Sequence, residues 1–163
     1  ALRLTLRLFL DHTANLPMLL LSDPLACRLL QALCFVWAGL VLGISFLEAP
    51  VKFGVPSVTR RIGLDVGRHV FAALNTVEIG AAVLGGGLLL MRAPGAVATW
   101  ALGSVGGVLA VQSLWLLPVL RRQAATIIEG GSVSDANYVH VGYVCLEASK
   151  VGALLLAGWQ MGL

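Results

Sequence analysis

Residues 27–48 read CRLLQALCFVWAGLVLGISFLE, an apolar stretch followed closely by Pro50. A helix needs about 20 mostly apolar residues to cross ~30 Å of hydrocarbon. This stretch has that length and few charges, so it predicts a membrane-spanning helix. Three later stretches have the same character, at 68–91, 95–120 and 136–161. The sequence therefore predicts an all-α, integral membrane, up-and-down four-helix bundle.

The predicted spans divide the chain into two parts. We expect residues 27–163 to form the four-helix transmembrane domain. Residues 1–26 precede the first span and begin ALRLTLRLFL, in which Arg3 and Arg7 stand among apolar residues. That mixture favours a short N-terminal amphipathic arm lying at the membrane interface over a fifth span.

The composition argues against an ordinary soluble domain. Hydrophobic residues make up 58% of the chain and charged residues 12%, whereas soluble domains have about 25% charged residues. A soluble fold of this size could not bury so much apolar surface. The net charge of +3 is spread between the apolar stretches, without the clustered basic face that nucleic-acid binding needs. We expect membrane lipid as a partner and no nucleic acid.

The basic residues of the loops predict the orientation of the bundle. With four spans, the loops at 49–67 and 121–135 share one side of the membrane. Their basic residues are Lys52, Arg60, Arg61, Arg121 and Arg122. Basic loops tend to face the cytoplasm. We therefore expect a bacterial inner membrane, or an organelle membrane of bacterial descent, with both loops facing cytoplasm, matrix or stroma.

Polar side chains recur within the spans, where an ionisable group costs about 2.5–3.5 kcal/mol on insertion scales. Glu78 and Glu147 lie at comparable depths in the second and fourth spans, which both start at the basic side. We expect both carboxylates to face the bundle interior and each to have a polar partner. The predicted intramembrane network, in which three carboxylates balance three cations, comprises Glu48, Lys52, Arg68, Asn75, Glu78, His140, Glu147 and Lys150.

Two interpretations of this network stay open at the level of the sequence. Polar contacts between membrane helices average ~0.6 kcal/mol, which is enough to set how the helices pack. In that case the network has a structural role only. Alternatively, its carboxylates line a polar cavity for a proton, an ion or a small substrate.

Two histidines provide a third interpretation, although we expect neither a cofactor nor a metal site. His69 and His140 each stand near the start of a span on the basic side. Histidines from facing helices can ligate a haem iron axially. Haem, or another pigment, is therefore the alternative to a protein without a cofactor.

Small and aromatic residues predict how the helices pack and where they meet the interface. Three glycine pairs have the four-residue spacing that lets helices approach closely: Gly39 and Gly43, Gly103 and Gly107, and Gly158 and Gly162. Trp100, Trp115 and Trp159 stand near predicted span ends, where interfacial tryptophans concentrate.

The sequence has none of the common catalytic signatures. It contains no HExxH, no GxSxG and no P-loop, and each of these motifs has a defined chemical role. The triplet Gly85–Gly86–Gly87 lies inside an apolar span, where it cannot hold a phosphate. We therefore expect a protein that is not an enzyme.

A short pattern joins the end of the first span to the start of the second. It has the form F-x-x-x-P-x-x-F followed by G-R-x-x-F, and its residues are Phe46, Pro50, Phe53, Gly67, Arg68 and Phe71. The stretch from Ala32 to Glu78 resembles a family of small four-helix membrane proteins of unknown function. That family is mainly bacterial, with a eukaryotic branch linked to platinum-drug resistance. The resemblance implies the four-helix fold and no activity or site residue.

The leading functional expectation is a small non-enzymatic accessory or scaffold subunit of a larger membrane complex. Its small size and glycine-rich helices suit assembly with other membrane-protein subunits or with further copies of itself. The alternative is a small transporter or proton-coupled carrier that uses Glu78, Glu147 and Lys150. A haem- or pigment-binding membrane protein is the further alternative.

Overall fold

The structure, a computed structural model, describes residues 23–91, 94–132 and 136–162. These residues form four long helices and contain no strand. Each helix is long and apolar enough to cross a membrane. The predicted arm at 1–26 lies almost wholly outside the described residues, of which Asp23 is the first and already helical.

Two of the four helices change their hydrogen-bonding pattern along their length. Helix α1 is α-helical over Asp23–Val41, π-helical over Leu42–Glu48 and α-helical over Ala49–Gly54. Helix α2 covers Arg60–Met91. Helix α3 is α-helical over Ala96–Val111, π-helical over Gln112–Leu116 and α-helical over Leu117–Ile128. Helix α4 covers Ala136–Gln160.

Pro50 and Pro118 do not end their helices, although proline at the end of an apolar stretch is typical of a helix stop. Each proline stands in the first turn of an α-helical segment that directly follows a π-helical one. A proline ring inside a regular α-helix clashes with the carbonyl four residues earlier. The π-helical turns bond instead to the fifth residue back, as the Ala49 N–H does to the Ile44 carbonyl. We attribute the continuity of both helices to this local change.

The helices also extend further towards the basic side than hydropathy predicted. Helix α2 begins at Arg60 rather than Arg68, and α3 ends at Ile128 rather than Leu120. Much of the predicted loops at 49–67 and 121–135 is therefore helical. The added turns contain arginines and polar residues, which a search for apolar stretches leaves out although they are compatible with a helix.

The four helices form an up-and-down bundle in which α1 packs against α2 and α4, and α3 packs against α2 and α4. The antiparallel order of α1 and α4 is visible in the bond from Gln31 Nε2 to the Gly158 carbonyl, 2.9 Å long. The half of the bundle away from the basic loops has a core of mostly small and branched side chains. Its buried members are Cys34, Trp37, Ala38, Val41, Ala98, Ala101, Val105, Leu109, Val151, Leu154 and Ala157.

The bundle differs from a soluble protein in having large apolar side chains on its outside and charged side chains in its interior. Leu90 and Leu114 are 92% and 81% exposed on the outside of the bundle. Glu147 and Lys150 are both 0% exposed inside it. An apolar exterior and a charged interior fit lipid as the surrounding solvent.

Of the three predicted glycine pairs, only Gly158 and Gly162 mark a close approach within the chain. A Cβ built at Gly158 would lie 3.0 Å from Phe35 Cζ of α1. The pairs on α1 and α3 have nothing within 4 Å of a built Cβ. For α1 the reason is that Cys34, Trp37, Ala38 and Val41 occupy its core-facing side, which leaves Gly39 and Gly43 on another face.

Candidate functional site

A buried charged network lies near the middle of the bundle, and Lys150 of α4 is at its centre. Lys150 Nζ lies 2.5 Å from Glu78 Oε1 and 2.9 Å from Glu147 Oε1. It also donates to Gln112 Oε1 at 2.9 Å. The ammonium therefore contacts one side chain from each of α2, α3 and α4, which satisfies its three N–H donors.

Glu147, one turn before Lys150, bonds to side chains of α3 and α1. Its Oε1 accepts a 2.7 Å hydrogen bond from Gln112 Nε2, and its Oε2 accepts a 3.1 Å bond from Ser45 Oγ. Gln112 thus donates to the carboxylate and accepts from the ammonium. A carboxamide can make both bonds at once because it carries a donor and an acceptor.

Glu78 of α2 is held by α1 as well as by Lys150. Trp37 Nε1 donates to Glu78 Oε1 at 2.9 Å. Glu78 and Gln112 are each 2% exposed. The network therefore joins all four helices in a region closed to solvent.

The buried network has two carboxylates for one ammonium. Glu78, Glu147 and Lys150 together carry a formal charge of −1 when all three are ionised. Trp37, Ser45 and Gln112 contribute no charge. The predicted balance of three carboxylates and three cations does not hold for the buried network, because Glu48, Lys52 and Arg68 lie outside it.

Five predicted members of the network lie outside it. Arg68 is exposed and pairs with Asp65 at 2.6 Å on its own helix. Lys52 pairs with Glu48 at 3.0 Å, one turn apart on α1. Asn75 accepts a 2.6 Å bond from Ser113 Oγ. The last of the five, His140, lines a cavity.

Three members of the network were missing from the predicted site: Trp37, Ser45 and Gln112. Gln112 is the main polar side chain of α3, and this signal is visible in the sequence. Trp37 is the one tryptophan that lies far from a predicted span end, which also distinguishes it. Ser45 gives no such signal, because a serine in a membrane helix can bond to its own backbone.

Both π-helical segments lie beside the buried network. Ser45 lies within Leu42–Glu48, and Gln112 is the first residue of Gln112–Leu116. Both side chains donate to Glu147, one to each of its oxygens. π-helical turns inside α-helices occur frequently at functional sites. Their position makes this part of the bundle the candidate site.

A cavity of about 370 Å³ opens on the basic-loop side of the network, between all four helices. Phe71 and Tyr143 line it and meet edge to face, with ring centroids 5.6 Å apart. Ser45 also lines it. Since Ser45 donates to Glu147, the cavity reaches a direct contact of the buried network.

A second cavity, of about 250 Å³, continues from the first towards the helix ends. Both are lined by Phe53, Leu64 and His140, and the second also by Arg60. Gln123 lines the second cavity, and its Oε1 atom is buried without a hydrogen-bond partner among the described residues. Such an atom needs a donor from water or a ligand.

The two histidines considered as haem ligands occupy different surroundings. His140 lines both cavities. His69 Nδ1 lies 2.8 Å from the Asp65 backbone carbonyl on its own helix, and its side chain is exposed. Within the described ranges, no group of three or more His, Cys, Asp or Glu side chains could hold a metal ion.

No protein family model, curated protein or solved structure matches the chain. The resemblance carried by Phe46, Pro50, Phe53 and the G-R-x-x-F segment stays a prediction.

Proposed function

We propose that this protein is a non-enzymatic, proton-coupled membrane carrier whose proton site is formed by Glu78, Glu147 and Lys150. The observation that carries the proposal is that one buried ammonium is shared by two buried carboxylates. The following physical steps support this function over a purely structural role.

The first step concerns charge. A net charge of −1 in a region of low dielectric is costly, because a buried charge without a partner loses its hydration. One additional proton makes the network neutral. The network is therefore a site that takes up one proton when closed from water and releases it when water enters.

The second step concerns access. The 370 Å³ cavity connects the basic-loop side with Ser45, which contacts Glu147. On the opposite side of the network, Val41, Val105 and Leu154 are at most 1% exposed. The site is thus approached from one side and closed on the other, which is one of the two states that alternating access requires.

The third step concerns movement. A carrier has to open the closed side, and this requires two helices to shift against their neighbours. Helices α1 and α3 each contain a π-helical segment at the level of the network. Loss of a π-helical turn changes the rotation of the segment that follows it, which would withdraw Ser45 or Gln112 from Glu147.

The test uses Glu147→Gln in liposomes that contain a pH-sensitive dye. Glu147→Gln leaves Glu78 and Lys150 as a balanced pair, so the fold is expected to persist. Glu129→Gln is the matched control, because Glu129 is exposed at the end of α3. Proton flux is recorded with a panel of anionic, cationic and neutral organic solutes outside, and thermal unfolding is measured in parallel.

We expect at least one solute to drive proton flux in the wild type and in Glu129→Gln. Glu147→Gln is expected to unfold at an unchanged temperature and to show no flux. Wild-type liposomes that respond to no solute would refute the carrier function. So would flux in Glu147→Gln equal to that of the wild type.

A second candidate function, an accessory or scaffold subunit, is favoured by the outward glycines. Gly39, Gly43, Gly103 and Gly107 have nothing within 4 Å of a built Cβ. A helix face formed by glycines allows a helix of another subunit or another copy of this protein to approach closely. The number of copies per particle in lipid nanodiscs tests this candidate, with Gly103→Leu expected to reduce it and Gly152→Leu as the control.

For the membrane and its orientation, we propose a bacterial inner membrane or an organelle membrane of bacterial descent. The loop at 55–59 and the turn after Ile128 then face the cytoplasm, matrix or stroma. Arg60, Arg61, Arg121 and Arg122 lie at this end of the bundle and support the orientation, because basic residues are retained on that side.

A further inference from the structure

We propose that the 370 Å³ cavity binds a soluble amphipathic organic anion, with one negative group and a small apolar body. This inference rests on the proposed function, for which it names the substrate class. The residues that line the cavity support it independently, and a binding measurement tests it separately from proton flux. Three features of the lining carry it: charge, a buried cation and size.

The charged side chains that line the cavity are all basic. Lys52, Arg68 and Arg121 line it together with His140, and none of its lining residues is an aspartate or glutamate. Arg60 continues the basic lining into the second cavity, where again no acidic residue occurs. A concave site with charge of one sign attracts a ligand of the opposite sign.

Lys52 is the cation built most deeply into this lining. Its side chain is only 9% exposed, and its Nζ lies 3.0 Å and 3.3 Å from the two oxygens of Glu48. Glu48 itself is 36% exposed. An ammonium has three donors, and one carboxylate on one side leaves room for a second anionic partner on the cavity side.

Gly67 makes room for that ammonium. A Cβ built at Gly67 would lie 3.5 Å from Lys52 Nζ, so the residue on α2 that faces Lys52 is the smallest available. Gly67 also lines the cavity. The approach to Lys52 from the cavity is therefore not covered by a side chain at this position.

The remainder of the lining suits an apolar body of limited size. Phe46, Phe53 and Phe71 contribute aromatic rings. The volume lies at the small end of the ~300–1,000 Å³ found for small-molecule sites. A molecule with a single short chain or a single ring fits such a volume, whereas the two chains of a phospholipid do not.

The occupant is a soluble anion rather than a lipid because of where the cavity lies. Its lining includes residues from all four helices, so it lies between the helices rather than on the surface of a single one. The second cavity extends it towards the helix ends, where the buried carbonyl oxygen of Gln123 has no hydrogen-bond partner in the described part of the chain. This route leads to the basic side, from which a water-soluble molecule enters.

The binding test uses hexanesulfonate, a permanently charged anion that does not cross a bilayer as a neutral acid. The purified protein is placed in nanodiscs of phosphatidylcholine and titrated by calorimetry. Hexylammonium and hexanol are the matched ligands with opposite charge and no charge. Arg121→Met and Lys52→Met remove a cation of the lining, Lys52→Arg keeps the charge, and Arg122→Met is the control because Arg122 does not line either cavity.

We expect saturable binding of hexanesulfonate, at least ~10-fold weaker in Arg121→Met and Lys52→Met, as loss of a charge-assisted bond implies. Arg122→Met and Lys52→Arg are expected to stay within about 3-fold of the wild type. Absence of binding to the wild type overturns the proposal, as does equal binding of hexylammonium. Loss of binding in Arg122→Met as large as in Arg121→Met also overturns it.

Further outcomes distinguish the anion site from a lipid site and from the carrier function. If native mass spectrometry finds phosphatidylglycerol held by the wild type and lost from Arg121→Met, and hexanesulfonate does not displace it, the site is a lipid site and the proposal fails. If hexanesulfonate binds as expected but no solute drives proton flux, the carrier function fails and the anion site stands. Proton flux driven only by cations or neutral solutes refutes the anion as substrate and leaves the carrier.

Discussion

Lys150 Nζ lies 2.5 Å from Glu78 Oε1, and this contact joins α4 to α2. Both side chains are almost completely buried. The same nitrogen lies 2.9 Å from Glu147 Oε1. Two carboxylates thus share one cation in the middle of an apolar bundle. The consequences of this arrangement for stability and access can be measured.

The first prediction is that Lys150→Met destabilises the bundle strongly. The substitution leaves Glu78 and Glu147 buried without a cation, and breaking a buried pair costs about 3–5 kcal/mol. The triple variant Glu78→Gln, Glu147→Gln, Lys150→Met has no buried charge and is expected to recover most of the loss. Unfolding of the detergent-solubilised protein gives both values, and a Lys150→Met protein as stable as the wild type would contradict the importance of the pair.

The second prediction concerns the indole N–H that bonds to Glu78. Trp37→Phe keeps an aromatic ring in the core and removes the donor, which leaves a buried carboxylate with one bond fewer. The expected cost is about 1–3 kcal/mol. Trp159→Phe is the matched control, since Trp159 is 65% exposed, and equal unfolding free energies for the two variants would show that the bond to Glu78 does not contribute.

The third prediction compares two glycines of α4. Gly158→Ala places a Cβ 3.0 Å from Phe35 Cζ, whereas a Cβ at Gly152 has nothing within 4 Å. Both substitutions have the same effect on helix propensity, so their difference isolates the contact between α1 and α4. We expect Gly158→Ala to be less stable than Gly152→Ala by about 1–3 kcal/mol, measured by unfolding in the same detergent.

The fourth prediction tests access to the site. In a variant without Cys27, Cys34 and Cys145, Ser45→Cys places a thiol in the lining of the cavity. We expect an anionic, membrane-impermeant thiol reagent to modify it from the basic-loop side only. Val105→Cys, in the closed half of the bundle at 1% exposure, is the control and should not react.

Labelling in right-side-out and inside-out membranes also reports the orientation. Modification of Ser45→Cys from the cytoplasmic, matrix or stromal side agrees with the proposed orientation. Modification from the opposite side would reverse the orientation and leave the cavity in place. Modification from both sides at equal rates would contradict a site closed on one side.

The three charged residues of the candidate site could be predicted from the sequence, but the sequence did not show which other polar residues lie outside it. Glu78, Glu147 and Lys150 stand out because charged residues within apolar spans are costly and need partners, and the structure places all three in the interior. Lys52 and Arg68 satisfy the same criterion in the sequence. They lie outside the network because Glu48 and Asp65, one turn away on the same helix, are nearer partners.

Ser45 continues the core-facing side of α1, since it follows the buried residues Ala38 and Val41 by seven and four positions and an α-helix turns by about 100° per residue. Regular helical spacing therefore places Ser45 towards the interior, although it lies in the π-helical segment Leu42–Glu48. The partner of its hydroxyl does not follow from this spacing, because a serine in a membrane helix can bond to its own backbone instead.

The sequence by itself determined that the chain forms four apolar helices of spanning length with charged residues between and within them. These properties depend on the composition of contiguous stretches, because the free energy of transferring a helix to a bilayer is a sum over the residues of that helix. Only the tertiary structure decided that Trp37, Ser45 and Gln112 bond to the carboxylates, that Lys150 serves two of them, and that a basic cavity adjoins them. Those relations depend on the rotation of each helix about its axis, which is set by packing against the other three.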